Sequence, residues 1–375
     1  MKIGLLGLGQ CGGKLVEKLI TEIQQSEDER IEFVPLVIDL SRRDLDALKN
    51  ISIQSKLQIQ TRSGTNGTGR NTKVSYGSLS DESNQELFFE KINKLFGLNL
   101  DNEESYTFKV QQLFIFFGSG GGTGNGFLQV ILSSGLVHSM PKMSVVMASP
   151  RKVDSKEEKR NTLCIMENFR NSIIRKEIGS IFVINNDIFT KTEGDWMEKA
   201  NSAFAKIFTN TLIQSLQDSV KSVDDADLYN IFRENGYGTM TSFDGEPVGA
   251  FARTLTNLGD QGYETRGASS YALLVSGNDK IVSCETNLLE SINSFSPNVE
   301  KIYTGFYPQT FSINSQTFCS ISGMSEPKFL IELASEANKV SEKTDISTKI
   351  KFSRVSDTNT VRKPKLRPFE GFGKK

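Results

Sequence analysis

The chain has 375 residues but only one histidine, His138, and one tryptophan, Trp196. With a single histidine, histidine-based catalytic triads and multi-histidine metal sites are disfavoured. The four cysteines (Cys11, Cys164, Cys284 and Cys319) lie far apart and form no CxxC. Neither a zinc site nor a disulfide framework is expected, and a reduced, cytoplasmic setting fits. No apolar run reaches the roughly 18 residues that a bilayer crossing needs, and Met1 leads straight into a strand-like stretch without a signal peptide, so no membrane partner is expected. Lys and Arg number 44 against 45 Asp and Glu, a net charge of −1, so the whole chain has no bias toward nucleic acid or membrane. No internal repeat is present. The length remains, enough for two domains and a sizeable core.

Glycine is plentiful, and it is concentrated. Leu113 to Phe117 is a run of five large apolar residues that reads as a fully buried strand. Gly118, Ser119, Gly120, Gly121, Gly122, Thr123, Gly124, Asn125 and Gly126 follow, and Phe127 to Val137 has the apolar spacing of a helix. Strand, glycine run and helix make a phosphate cradle. Glycine lets the backbone approach an anion, and N–H groups at the helix start point at it. Ser119, Thr123 and Asn125 are candidates for additional side-chain donors. No Gly-Lys-Ser/Thr closes the run, so it is not a P-loop. Gly-Gly-Gly-Thr-Gly-Asn-Gly resembles the signature of the tubulin/FtsZ superfamily of GTPases. That resemblance implies GTP and GDP as ligands, with Mg2+.

The first 40 residues carry a competing signal. Lys2 to Leu8 reads as a strand, Lys14 to Gln24 as an amphipathic helix, and Phe33 to Ile38 as a second strand closed by Asp39. Gly7 to Gly12 matches GxGxxG, and Asp39 stands where a dinucleotide site places its ribose-binding acid. Alone, this reads as an NAD-dependent oxidoreductase. A second phosphate cradle at 118–126 argues against it. Gly9-Gln10-Cys11-Gly12 also resembles the first nucleotide loop of tubulin, which places Gln10 and Cys11 against phosphates and base; a small packing role for Cys11 is the alternative. Residues 61–71 form a third glycine-rich stretch. By resemblance, Gly64, Thr65, Asn66 and Gly67 sense the γ-phosphate; otherwise the stretch is a surface turn.

Further on, Ser149-Pro150-Arg151-Lys152-Val153-Asp154 and Glu158-Lys159-Arg160-Asn161 resemble the tubulin ribose loop. Glu158 would accept from ribose hydroxyls and Asp154 would lie near the sugar. Asn186, after the strand Ile181 to Ile184, aligns with the family's guanine reader. Asp195 to about Ser222 has helical spacing, with Asn210 aligned to the second guanine contact and Lys206 where the family has an aromatic stacker. Asp224 and Asp227 match the two acids of the FtsZ catalytic loop, with Ser222 in place of its Asn. Two carboxylates three residues apart can orient one water; the plainer reading is a helix cap. By resemblance, such acids act on nucleotide held by the next subunit of a head-to-tail homopolymer.

These observations imply an α/β fold: a Rossmann-like parallel-sheet GTPase domain (1–194), a long central helix (195–222), a smaller α+β C-terminal domain (223–325), a final helix (326–348) and a basic, disordered tail (349–375). The tail holds nine Lys/Arg and two acids, with Phe369 and Phe372 among them. Such a segment attracts DNA or a DNA-bound adaptor. Tubulin-like glycine and ribose loops, an FtsZ-like acidic loop and a basic tail together resemble the TubZ partitioning branch, which implies filaments that segregate plasmid or phage DNA through an adaptor–centromere complex. A division FtsZ and a phage DNA-positioning tubulin are the alternatives within the superfamily.

Overall fold

A computed structural model describes residues 1–61, 64, 66–97, 109–134, 143–190, 195–309 and 315–338. Ten strands form one sheet: β1 (Lys2–Leu8), β2 (Glu32–Asp39), β3 (Lys56–Gln58), β4 (Gln112–Gly118), β5 (Ser144–Ala148), β6 (Ser180–Ile184), β7 (Gly236–Asp244), β8 (Ser270–Gly277), β9 (Lys301–Pro308) and β10 (Gln316–Met324). Their order is β3-β2-β1-β4-β5-β6-β7-β10-β8-β9. Strands β3 through β7 are mutually parallel. Strand β10 runs antiparallel between β7 and β8, and β9 is parallel to β8. The fold is the expected mixture of a parallel α/β part and a smaller α+β part.

The run that reads as a buried strand is buried on both faces. Leu113, Ile115 and Phe117 enter one apolar cluster while Phe114 and Phe116 enter another, the period-two alternation of a strand. Helices α1 (Gly9–Ser26), α2 (Arg42–Ala47), α7 (Trp196–Ser215) and α8 (Asp225–Phe232) contribute to the second cluster. On the opposite face lie α4 (Glu82–Phe96), α5 (Gly122–Ser133), α6 (Lys156–Ile174), α9 (Pro247–Asp260), α10 (Glu285–Phe295) and α11 (Lys328–Asn338). The short α3 (Thr72–Leu79) packs on α5.

The long helix stops at Ser215, seven residues short of the expected Ser222. Beyond it the backbone is taken up by β9: Val220 N–H donates to the Phe306 carbonyl at 3.0 Å, and Phe306 N–H donates to that of Lys221 at 2.7 Å. Val220, which fits the helical spacing, is 65% exposed. The chain then enters α8, which the sequence reading lacks. The stretch Gly236 to Met240 belongs to central strand β7; its glycines and threonines hide the apolar alternation. Both glycine runs are also more regular than expected. Helices α1 and α5 start at Gly9 and Gly122 rather than at Lys14 and Phe127. Residues 135–137 of the second expected helix lie outside the described residues, as do 339–375.

Phe208 on α7 is the hub of the second cluster. It lies edge-on to Phe114 with ring centroids 4.9 Å apart and stacks with Phe204 and Phe232 at 5.9 and 6.2 Å. Phe208→Ala is expected to lower unfolding stability by about 3–5 kcal/mol, read from urea denaturation midpoints. A loss below about 1 kcal/mol would mean that α7 does not anchor the sheet.

Candidate functional site

The order β3-β2-β1-β4-β5-β6 reverses direction between β1 and β4, so a crevice opens beyond their C-terminal ends. Helices α1 and α5 begin there. Neither start has a side-chain cap or a first-turn acid. By contrast α6, α7, α8 and α9 are capped by Ser155, Asp195, Asp224 and Glu246. The first-turn N–H groups of α1 and α5 therefore suit an anion. Glycine makes the convergence possible. A Cβ on Gly12 would overlap the Phe116 carbonyl, and one on Gly124 would lie 2.7 Å from the Leu8 carbonyl oxygen.

Within this cradle, Gly9 takes φ +68° and Thr123 stands beside it, half-buried. Gln10 donates to Asp44 Oδ1 at 3.1 Å. Cys11 packs against Gly118, and burial pushes its thiol up to about 11, so it is a neutral packing group near pH 7. Ser119 and Asn125 are corrected as side-chain donors, because both are fully buried and their side chains hold the loop itself. Ser119 Oγ lies 3.0 Å from Thr162 Oγ1. Asn125 Nδ2 donates to the carbonyls of Ser119 (2.8 Å) and Asn161 (2.7 Å). The backbone of the run from Gly118 through Gly120 and Gly121 to Asn125, with the half-buried Thr123 side chain, is left for a ligand.

The third glycine stretch closes over the start of α5. Its glycines at 64, 67 and 69 have positive φ with open space around them, while a Cβ on Gly122 would lie 2.6 Å from the Arg70 carbonyl carbon. Asn66 is exposed, and Thr65 lies outside the described residues. Asn161 stitches this stretch to the cradle, its Nδ2 donating to the carbonyls of Arg70 (2.9 Å) and Gly120 (3.0 Å).

The expected ribose acids are already engaged. Asp154 accepts from Arg151 N at 2.8 Å and Nη2 at 2.7 Å, and that guanidinium lies over the Trp196 ring at 4.1 Å. Glu158 Oε2 accepts from Ser155 N and Oγ in a capping box, and its Oε1 lies 3.3 Å from Arg70 Nη2. Asn186 Nδ2 donates to the Ser149 carbonyl at 2.7 Å.

Asn210 is not brought to the crevice. Phe208, two residues earlier, meets Phe33 and Phe114 near the N-terminal ends of β2 and β4. Phe114 is four residues, about 13 Å, below Gly118. Phe204 and Phe208 are both core, so neither is free to stack on a ligand. The sequence reading missed Asn201. It lies one turn nearer the crevice than Phe204, is 2% exposed, and its Nδ2 has no hydrogen-bond partner. Its signal was a polar residue on the apolar face of α7. Asp39, read at first as a dinucleotide acid, is 3% exposed beside a cavity of about 50 Å³ lined by Gly9, Gln10, Lys14 and Asp44.

Asp224 and Asp227 lie at the opposite end of the sheet. Helix α8 meets the N-terminal ends of β4 to β6: Arg233 Nε donates to Gln112 Oε1 at 2.9 Å, and Ser144 and Ser180 Oγ donate to the Phe232 and Ile231 carbonyls. The two acids form a capping box, with Asp224 Oδ1 accepting from Asp227 N at 2.9 Å. Burial raises the Asp227 pKa, helped by the charge of Asp224.

The model of the Tubulin/FtsZ family, GTPase domain, matches residues 2–194. The chain therefore belongs to the Tubulin/FtsZ family and is a GTPase; the oxidoreductase alternative falls. The Tubulin-like protein CetZ of Pyrococcus abyssi is 24% identical over 357 residues, covering 90% of each chain. Among solved structures, CetZ from Methanosaeta thermophila matches with TM-score 0.70 and 17% identity over 92% of this chain and 93% of that one. A GTPγS-form protofilament of Bacillus thuringiensis serovar israelensis TubZ matches with TM-score 0.73 and 17% identity, again over 92% and 93%.

Burial raises the Asp39 carboxyl from 3.8 to about 6. A folded value above the unfolded one favours the protonated form, so its stabilisation is complete below about pH 4 and is lost as pH rises through 6. In nucleotide-free protein this group alone should lower stability by on the order of 2–3 kcal/mol between pH 4 and 7, and Asp39→Asn should remove that part of the slope. Equal slopes in denaturant titrations would show that Asp39 ionises freely.

Proposed function

We propose that this chain is a filament-forming GTPase whose hydrolytic site is completed only between successive subunits. The carrying observation is the distance between its two halves. The glycine cradle caps the C-terminal ends of β1 and β4, whereas Asp224 and Asp227 stand beyond the N-terminal ends of β4 to β6. The seven residues of β4 alone put about 20 Å between them. Stacked head to tail, one chain's acids face the next chain's cradle. Exposed apolar residues occur at both ends: Val153 and Ile188 on the cradle side, Ile174 and Val220 on the other. The solved CetZ and TubZ relatives include a GTPγS-bound protofilament and a two-stranded filament, which supports the same assembly here.

In this reading the N–H groups of α1 and α5 hold the phosphates, Glu158 faces the ribose, and Asp224 with Asp227 orients the attacking water. The residues fit a guanine nucleotide. The glycines let the two helix starts lie so close to the strand ends that a Cβ would meet backbone, which leaves the first-turn N–H groups to the phosphates, and Asn201 Nδ2 is a buried donor without an acceptor, a match for guanine O6 or N7. Asn186 braces the loop nearby. Among the described residues no cluster of three His, Cys, Asp or Glu could hold a metal. Mg2+ would therefore rely on the phosphates, neutralising their charge while keeping several waters.

Two cellular roles divide the family reading. The curated relatives carry the CetZ name, while TubZ structures match equally well. The basic stretch 349–375, which lies outside the described residues, favours the TubZ-like role, with capture of a DNA-bound adaptor for plasmid or phage segregation.

Asp224→Asn keeps an N-cap residue but removes the charge, which separates catalysis from capping. Wild-type turnover per subunit should rise with protein concentration together with light scattering. The variant should bind GTP and scatter, but turn over at least about 100-fold more slowly. Turnover independent of concentration would place the whole site within one chain.

Deleting 349–375 should spare turnover but abolish co-sedimentation of DNA–adaptor complexes with filaments, most clearly at low salt. Unchanged capture would assign the DNA contact elsewhere.

A further inference from the structure

Arg70 is a charged residue at the cradle that the preceding roles leave unused. Three described non-glycine residues have positive φ: Glu27, Lys176 and Arg70, the last at 71°. Glu27 and Lys176 each follow the end of a helix, where the left-handed conformation is common. Arg70 does not; it sits in the stretch that covers the start of α5. Strain of this kind in a loop over a ligand site is a pointer to function.

Its surroundings specify the function further. The Arg70 backbone lies against Gly122, and Asn161 Nδ2 fixes its carbonyl while also holding that of Gly120. The backbone is thus pinned at the anion-facing start of α5. The side chain is 53% exposed and crosses to the start of α6, where Nη1 donates to Ser155 Oγ at 3.2 Å and Nη2 lies 3.3 Å from Glu158 Oε1. Glu158 Oε2 is occupied by the capping box. Oε1 is therefore the oxygen left for a ribose hydroxyl, and Arg70 covers it. An exposed ion pair of this length is weak and easily exchanged. A phosphate offers a guanidinium better, two-pronged geometry and more negative charge.

We infer that Arg70 changes partner with the nucleotide: it pairs with Glu158 when no terminal phosphate is present and moves onto the terminal phosphate of a bound triphosphate, leaving Glu158 Oε1 to the ribose. The inference rests on the nucleotide reading above and adds a residue that distinguishes triphosphate from diphosphate. It also links the two ends of the nucleotide. A terminal phosphate strengthens the ribose contact by drawing Arg70 away, and a diphosphate leaves Arg70 competing for Glu158.

The test uses the full chain, freed of nucleotide and kept dilute. Calorimetric affinities for GTPγS and GDP are measured for wild type, Arg70→Gly and Arg70→Lys. Glycine removes the side chain and suits the positive φ, so Arg70→Gly should fold with a melting temperature no lower than wild type. Its GTPγS affinity should fall about 10- to 100-fold. Its GDP affinity should stay the same or rise, because Glu158 is released. Arg70→Lys should fall between, keeping the charge without the fork. Equal loss for both nucleotides, or loss for neither, would overturn the partner exchange while leaving the nucleotide site intact. A wild-type chain that binds neither nucleotide would overturn the site reading itself, and the exchange with it.

Discussion

The close approach of two helix starts to two strand ends governs this molecule. Helix α1 crosses β4 at Gly12, against the Phe116 carbonyl, and α5 crosses β1 at Gly124, against the Leu8 carbonyl. No side chain fits in either crossing. The crossings bring two uncapped helix N-termini together over the point where strand order reverses. Each carries partial positive charge, and the two sets of N–H groups have one shared direction in which to find an acceptor. The remaining polar groups of the cradle are arranged around that need. Ser119, Asn125 and Asn161 are spent inside the loop, which keeps its N–H groups in place before any ligand arrives.

The same rigidity explains why the two chemical halves stand apart. A sheet buried on both faces holds its two edges a fixed distance apart, and α8 is tied to the lower edge through Gln112, Ser144 and Ser180. Nothing in such a core bends far enough to carry Asp224 to Gly122. A capping box at the start of α8 is compatible with a second task. The carboxylates that satisfy their own helix remain partly exposed on the end of the molecule, and partial burial, with a smaller push from the charge of Asp224, raises the pKa of Asp227. Under the proposed function, a chain with one half-site at each end is an incomplete enzyme until it meets the next.

The parts of the fold legible in the sequence were those where local pattern and tertiary role agree. The apolar run at 113–117 could only be a buried strand, and a glycine run after it could only be a tight crossing. The end of α7 was not legible, because Val220 keeps helical spacing while its backbone pairs with β9. Strand β7 was hidden for the opposite reason: its glycines and threonines carry no apolar period, and only its neighbours make it a strand. At the site, residue types were legible but their allocation was not. Ser119 and Asn125 are the right chemistry for a phosphate loop, yet whether a donor faces the ligand or the loop depends on which carbonyls come within reach. Asn210 shows the limit of motif alignment along a helix. A shift of nine residues changes its depth by about 13 Å, and the aromatic packing of Phe208 puts Asn201, and not Asn210, on the crevice side of the helix.

Arg70 extends this logic from allocation to exchange. A residue with one good partner reads as structure, and Glu158 would read so from its capping box alone. Its second oxygen faces the Arg70 guanidinium, and the Arg70 backbone lies against the start of α5, so under the proposed exchange each group has two partners of different strength. The weaker pairing is the one present without ligand. Had the stronger pairing been internal, the loop would be locked and the cradle would gain nothing from a terminal phosphate. Because it is not, the charge that arrives with the ligand can reorder the contacts around it, and the strained backbone at residue 70 holds the guanidinium close enough to respond.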